Sequence, residues 1–199
     1  CKQVYFEATT PTNSEFFIYM DTHSKLTLEG VGMKVPEKHQ SAIGMSASEL
    51  SIRNSTIFSK IDLSEGSKLT LENVHIEIFG NNTIHAKDSE VIAKNSTITG
   101  GDLEKDFPPV WLRNVIWESE NCKIELPTGT GVCLDNNVQF NSDSDRMTSI
   151  NSYNSMIRAH QATFSEFLCV YEESFASLTG ETTFLNENAE TISFGVFDD

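Results

Sequence analysis

Asp62 and His85 are side chains of the types that can act together as a general acid and base. A carboxylate within hydrogen-bonding reach of an imidazole can orient the ring and stabilise its protonated form during proton transfer. The two residues are far apart along the chain, so only the fold could bring them together. We interpret them as a solvated contact between neighbouring strands, and the catalytic pair is the alternative.

An acidic stretch followed by a tryptophan is the second candidate. Asp102, Glu104 and Asp106 precede a pair of prolines, and Trp111 follows in a position expected to face outward. An outward tryptophan beside such a loop could stack on a sugar ring or on a partner side chain. We therefore predict ligand binding at these four residues. The alternative is that the loop folds over Trp111 and buries it.

Oxygen ligands for calcium occur at Asp143 and Asp145, which are separated by one serine. Their spacing is not that of an EF-hand, and an acidic surface loop explains the pair equally well. No Cys-x-x-Cys pair or Cys/His cluster indicates a transition-metal site. We expect no cofactor, with calcium at this pair as the alternative.

Cys1 occupies the position of the lipid-modified cysteine in mature bacterial lipoproteins, and a polar stretch follows it. This predicts lipidation at Cys1, with an arbitrary boundary of the sequence as the alternative. The other cysteines, Cys122, Cys133 and Cys169, are too sparse for a disulfide scaffold.

The charge of the chain limits the classes of partner. Its 199 residues carry 14 Lys and Arg against 29 Asp and Glu, a formal net charge of -15. Nucleic-acid binding depends on cations that neutralise phosphates, so we expect no nucleic-acid partner. No apolar run approaches the roughly 20 residues that span a bilayer, so we expect no transmembrane segment. The 38% hydrophobic residues are enough for a packed core.

A seven-residue repeat is the element that must position these candidates. Its copies span residues 24–30, 48–54, 67–73, 89–95, 108–114, 130–136, 155–161 and 174–180. Each copy alternates apolar and polar residues, which is typical of a strand. Similar short segments come before most copies and after several, so the repeat predicts coils of about 21 residues with three short strands each.

Equivalent positions of the copies should stack on one another and form complementary columns. Two outward columns alternate in charge: Lys25, Glu49, Lys68, Glu90 in one, and Glu29, Arg53, Glu72, Lys94, Arg113, Asp135, His160 in the other. Only Lys94 over Arg113 places like charges together. The last column holds Gly30, Asn54, Asn73, Asn95, Asn114, Asn136, Gln161 and Gly180. These residue types tolerate a left-handed bend, so this column predicts an asparagine ladder at one bend.

This pattern resembles the right-handed, single-stranded parallel β-helices, which include pectate-lyase-like proteins and autotransporter passenger domains. The resemblance covers about residues 16–197 and is architectural. We predict an all-β fold with an N-terminal extension or cap over residues 1–15 and a β-helix of about eight coils over residues 16–199. In pectinolytic members of the superfamily the active site lies outside the first strand of each coil, where Asp62 and His85 would be neighbours. Their Asn-Thr-Asp, Gly-His-Gly and Asp-Pro-His-Glu signatures do not occur here.

We therefore expect a non-catalytic, exported bacterial protein, outside the cell or on the outer-membrane surface. It would present a rigid acidic face that binds a host or bacterial surface glycan or protein. The alternative is a carbohydrate-active enzyme, a polysaccharide lyase or hydrolase, and a third possibility is a structural stalk within a larger surface protein. Residues 191–197 would leave an apolar edge, which predicts a continuing chain or an end-to-end oligomer.

Overall fold

The computed structural model describes residues 4–7, 16–34, 41–79, 83–101, 108–125, 131–185 and 192–195. Within these residues all regular elements are strands, and they stack in parallel as a right-handed β-helix. The predicted all-β β-helix is thus confirmed. The described residues contain no helix that could cross a bilayer.

The strands form three stacked paths along the helix axis. The first-strand path consists of β2 (Phe16–Met20), β5 (Ser41–Ser46), β8 (Ile61–Ser64), the first part of β11 (Ile84–Lys94), the first part of β13 (Val110–Glu120), β15 (Val132–Asp135), β18 (Ile150–Tyr153), β21 (Leu168–Tyr171) and β24 (Ile192–Gly195). The second-strand path consists of β3 (Lys25–Glu29), β6 (Glu49–Arg53), β9 (Lys68–Glu72), the second parts of β11 and β13, β16 (Gln139–Asp143), β19 (Met156–His160) and β22 (Phe175–Thr179). The third-strand path consists of β1 (Val4–Glu7), β4 (Val31–Lys34), β7 (Thr56–Phe58), β10 (His75–Phe79), β12 (Thr97–Gly101), β14 (Lys123–Glu125), β17 (Arg146–Met147), β20 (Thr163–Phe164) and β23 (Thr183–Phe184).

One continuous apolar core fills the interior of the coils because alternate residues of every path point inward. The alternation of the copies predicts inward side chains at Leu69, Leu71, Val91, Val110, Leu112 and Leu134, and these six are fully buried. The inward residues of the first and last copies, Leu26, Leu28, Ala176 and Leu178, are partly buried. Trp117 is also buried, and its ring stacks on Phe140 with centroids 5.7 Å apart. Each large apolar side chain buried in this way contributes about 1.5–3 kcal/mol to folding.

The predicted register is wrong in the middle of the chain. Val110 pairs with Ile84 and Trp111 with His85, which places residues 108–114 in the first-strand path and not in the second. Val132 pairs with Val110, so residues 130–136 are displaced in the same way. Residues 115–121 and 138–144 take the vacated places in the second-strand path. Because both paths alternate with period two, alternation alone does not distinguish them.

Each coil has two left-handed bends. The first bend, between the first and second strands, has positive φ at Ala47, Gly66, Asp88, Asn114, Asn136, Asn137 and Asn154. The second bend, between the second and third strands, has positive φ at Gly30, Asn54, Asn73, Asn95, Asn121, Ser144, Gln161 and Gly180. Asn114 and Asn136 therefore do not share the bend of Asn73 and Asn95, contrary to the predicted single ladder.

Asparagine side chains nevertheless bond from coil to coil at both bends. At the second bend, Asn121 Nδ2 donates to Asn95 Oδ1 at 2.8 Å. At the first bend, Asn137 Nδ2 donates to Asn114 Oδ1 at 2.6 Å. Asparagine satisfies two needs there, since it tolerates a left-handed conformation and its amide can bond along the stack.

The predicted charge complementarity holds in the second-strand path. Lys25 pairs with Glu49 at 2.8 Å and Lys68 with Glu90 at 2.6 Å. The true partner of Lys94 is Glu120, at 2.7 Å, and not Arg113. These pairs are largely exposed, so they specify the register more than they stabilise the fold.

Parts of the predicted ends lie outside the described residues. Of the predicted cap over residues 1–15, residues 4–7 are described and form β1, which pairs with β4. Cys1 lies outside the described residues. Of residues 191–197, only β24 is described, and it pairs with β21.

Candidate functional site

A row of outward side chains runs along the first-strand path, and we call it the first-face row. It consists of Asp62, His85, Trp111, Cys133, Asn151 and Cys169, which are paired in register on successive strands. Neighbouring strands lie about 4.8 Å apart, so consecutive members of the row are in contact distance. The row therefore places Asp62, His85 and Trp111 next to one another, although the sequence alone indicates two separate candidate sites.

Asp62 lies between two nitrogen donors. Its Oδ1 is 2.9 Å from His85 Nδ1 and 2.8 Å from Lys60 Nζ. The side chain of Asp62 is 21% exposed and that of His85 is 36% exposed, so both remain accessible. The predicted contact between the two residues is confirmed, and its geometry permits either a structural or a proton-transfer role.

Trp111 faces outward, as predicted, and is half-buried. Its ring lies against His85 with centroids 4.6 Å apart, and the Arg113 guanidinium carbon lies 5.1 Å from the Trp111 centroid. Arg113 in turn donates from Nε to Asp135 at 2.8 Å. The tryptophan is therefore held by a stacking contact and a cation–π contact, which makes it a preformed aromatic platform.

The acidic part of this candidate lies outside the described residues. This applies to Asp102, Glu104 and Asp106, whose predicted contact with a ligand stays a prediction. The prolines that follow them are described and buried, and the Pro109 carbonyl accepts hydrogen bonds from the backbone of Thr83 and Ile84. These bonds fix the start of β13 and so the position of Trp111.

Two residues missed by the sequence reasoning extend the same face. Tyr153 and Tyr171 follow the row by two positions along their strands, and their rings stack with centroids 5.2 Å apart. A hydrogen bond with Cys169 is the main cause that raises the pKa of Tyr171 to about 12. Tyr153 and Tyr171 occupy the same register position as Arg113 and Asp135, which could have indicated this surface. The predicted register did not align them, because it placed residues 108–114 and 130–136 in the wrong path.

The two residues of the proposed calcium pair do not face the same side of the coil. Asp143 is exposed, whereas Asp145 is fully buried. Asp145 accepts hydrogen bonds from the Cys122 backbone N–H at 2.6 Å, from Ser142 Oγ at 2.8 Å and from Ser119 Oγ. Burial raises the pKa of Asp145 despite these bonds. Among the described residues, no three His, Cys, Asp or Glu side chains are grouped as metal ligands.

The three described cysteines, Cys122, Cys133 and Cys169, are not joined to one another by disulfides. Cys122 lies in the core beside Asp145, and desolvation raises the pKa of its thiol to about 12. A thiol with so high a pKa is a poor nucleophile at neutral pH.

Glu125 lies in β14 of the third-strand path. Glu125 therefore lies on a different face from Asp62, and the two cannot form the carboxylate pair of a glycosidase.

A scan against protein-family models and searches of curated proteins and of solved structures found no match to the chain.

Proposed function

We propose that this chain is a non-catalytic binding protein of the cell exterior and that the first-face row around Trp111 holds its ligand. The observation that carries the proposal is an outward aromatic ring that is fixed by His85 and Arg113 before any ligand arrives. Such a platform, with charged groups at its edge, suits a sugar ring or an exposed side chain of a partner protein. A rigid site also loses little conformational entropy on binding.

The wider setting of this function rests on the sequence. Export from a bacterium, a lipid anchor at Cys1 and association with a surface glycan or protein are parts of the proposal. So are end-to-end assembly and a relationship to the pectate-lyase-like superfamily, which the parallel β-helix architecture supports only at the level of the fold.

Binding to immobilised glycans and to bacterial and host surface proteins tests the proposal. Trp111→Ala should weaken binding at least tenfold while the protein stays folded, because the ring is at the surface. Tyr19→Ala is a matched control, since Tyr19 is 58% exposed on the same face several coils away. Unchanged binding by Trp111→Ala would overturn the proposal.

A carbohydrate-active enzyme is the second candidate, and the 2.9 Å contact between Asp62 and His85 favours it. Incubation with uronic-acid polymers tests it through the release of unsaturated products or reducing ends. Activity that is lost in both Asp62→Asn and His85→Gln, but kept in Trp111→Ala, would establish the enzyme over the binding protein.

A further inference from the structure

A trough of about 570 Å³ lies on the outer surface of the third-strand path, and we call it the third-face trough. Its floor is formed by Thr97 and Thr99 of β12. β10 and β14, the two neighbours of β12 in the sheet, form a wall on either side of this floor, and the trough continues past β14 over Thr148, Ser165 and Glu166. The walls are two strand spacings apart, or about 10 Å.

Both walls carry the same motif. His75 and Glu77 flank the buried Ile76 on one wall, and Lys123 and Glu125 flank a buried isoleucine on the other. His75 Nε2 lies 3.1 Å from Glu77 Oε2, and Lys123 Nζ lies 2.7 Å from Glu125 Oε2. All four side chains are between a third and a half exposed, so a ligand can reach them.

The parallel register makes the two motifs point the same way. His75 and Lys123 both pair with Thr97, and Glu77 and Glu125 both pair with Thr99. The backbones of the basic residues therefore lie on one side of the floor and those of the acidic residues on the other, about 7 Å apart along the strand. Within each wall the two side chains lean toward each other and meet in the ion pair. The dipoles of the two walls add across the trough, whereas antiparallel strands would have opposed them.

Glu166 strengthens this polarity. Met147 pairs with Ile124, and the Thr148 carbonyl accepts from the backbone N–H of Glu166 at 2.8 Å. This places Glu166 at the carboxylate side of the trough, which it also lines. A ligand with only a negative charge would be repelled by three carboxylates on this side, and a ligand with only a positive charge would be repelled by Lys123 on the other side.

We propose that the third-face trough binds a small organic zwitterion. The ligand's carboxylate lies on the His75 and Lys123 side, and its primary ammonium lies on the Glu77 and Glu125 side. The threonine hydroxyls of the floor can donate to or accept from its polar atoms. The Lys123–Glu125 ion pair supplies one of the two wall dipoles. This site lies on a different face from the first-face row and does not depend on the function proposed there.

Isothermal titration with 4-aminobutyrate as the probe tests the site, with butyrate and butylammonium as singly charged analogues. The zwitterion should bind at least tenfold more tightly than either analogue. The double exchange Lys123→Glu with Glu125→Lys keeps the net charge and the ion pair but reverses the dipole of that wall. It should weaken binding of 4-aminobutyrate at least tenfold.

The matched control is the exchange Lys94→Glu with Glu120→Lys. This pair has the same N–O distance of 2.7 Å but lies on the second-strand path, outside the trough. It should leave binding unchanged, as should Trp111→Ala. If the exchange at Lys123 and Glu125 impairs folding, the milder Lys123→Gln must show the same loss.

Three results would overturn the proposal. The first is no binding of 4-aminobutyrate by the parent protein, or no preference over the singly charged analogues. The second is unchanged binding after the exchange at Lys123 and Glu125 or after Lys123→Gln. The third is loss of binding in Trp111→Ala, which would place the probe in the first-face row and leave the trough without a ligand.

Discussion

Replacement of Asp145 by asparagine should remove a buried ionisable carboxyl group without removing its hydrogen bonds. Asp145 is fully buried and accepts from the Cys122 backbone and from two serine hydroxyls. In Asp145→Asn the amide oxygen can accept from the Cys122 N–H while the amide nitrogen donates to the serines, whose hydroxyls rotate. At neutral pH the variant should therefore be at least as stable as the parent.

The pH dependence of the difference has a definite sign. Burial raises the pKa of Asp145 above its ordinary value of 3.8, so the folded state binds this proton more tightly than the unfolded chain. The stability that Asp145 contributes is fully present below pH 3.8 and is lost as the pH rises through the pKa of the folded protein. Asp145→Asn does not titrate, so its stability relative to the parent should rise over that window and then level off.

Two further variants show how much the hydrogen bonds of Asp145 contribute to the free energy of unfolding. Asp145→Ala leaves the Cys122 N–H and two hydroxyls without an acceptor and should cost about 2–4 kcal/mol, since each buried unpaired group costs about 1–3 kcal/mol and the hydroxyls can find other partners. Asp145→Ser should cost less, because serines play the same part elsewhere at this bend. Ser96 Oγ accepts from the Val74 backbone N–H at 3.2 Å and Ser55 Oγ from Val31 at 3.0 Å.

Urea denaturation from about pH 3 to pH 8 measures these differences, because each midpoint reports the free energy of unfolding. The fluorescence of Trp117 is a suitable signal, since its Nε1 donates to Ser119 Oγ at 2.8 Å and Ser119 bonds to Asp145. A difference between parent and Asp145→Asn that does not change with pH would refute the reasoning. So would a loss in Asp145→Asn as large as that in Asp145→Ala.

Four other variants test the bends, the core and the exposed ion pairs. Asn95→Ala should lower the free energy of unfolding by about 1–2 kcal/mol, because Asn95 has a φ of 48° and accepts a hydrogen bond from Asn121. Asn95→Gly should lose less stability, since glycine tolerates the positive φ. Equal losses in the two variants would show that the left-handed bend is not the cause. Leu69→Ala should cost about 2–5 kcal/mol in urea denaturation, and a loss below 1 kcal/mol would contradict its place in the core. Glu120→Gln should lower the raised pKa of Lys94 toward 10.5, because the hydrogen bond with Glu120 is the largest cause of the shift. An NMR titration of Lys94 measures this, and an unchanged pKa would contradict the pairing.

The architecture could be predicted because period-two alternation and the spacing of the repeats reflect physical needs of each coil. Inward positions must be apolar, and the bends need residues that tolerate a positive φ. The six predicted core residues are buried for this reason, including those assigned to the wrong path. An inward position in one path resembles an inward position in another, so the core was easier to predict than the register.

One feature of the sequence indicated that the predicted register was wrong. Lys94 over Arg113 was the one like-charged contact in columns that otherwise alternate, and the structure pairs Lys94 with Glu120 and Arg113 with Asp135. Like charges on adjacent strands are unfavourable, so a register that requires them is suspect. The contact between Asp62 and His85 was predictable because both lie before the displaced copies. The contact between His85 and Trp111 was not, because it depends on the displaced register.

The two left-handed bends explain why both candidate sites lie off the second-strand path. In successive coils the first and second bends are seven residues apart, as at Ala47 and Asn54 and at Asn114 and Asn121. The second strand therefore has nearly constant length, and its outer surface carries ion pairs between coils at Lys25 and Glu49, Lys68 and Glu90, and Lys94 and Glu120. The connections from third to first strand vary, from residues 59–60 to residues 102–109. The first-face row and the third-face trough border these variable connections, where the chain can change without breaking the stack, so recognition is expected there and not on the second-strand surface.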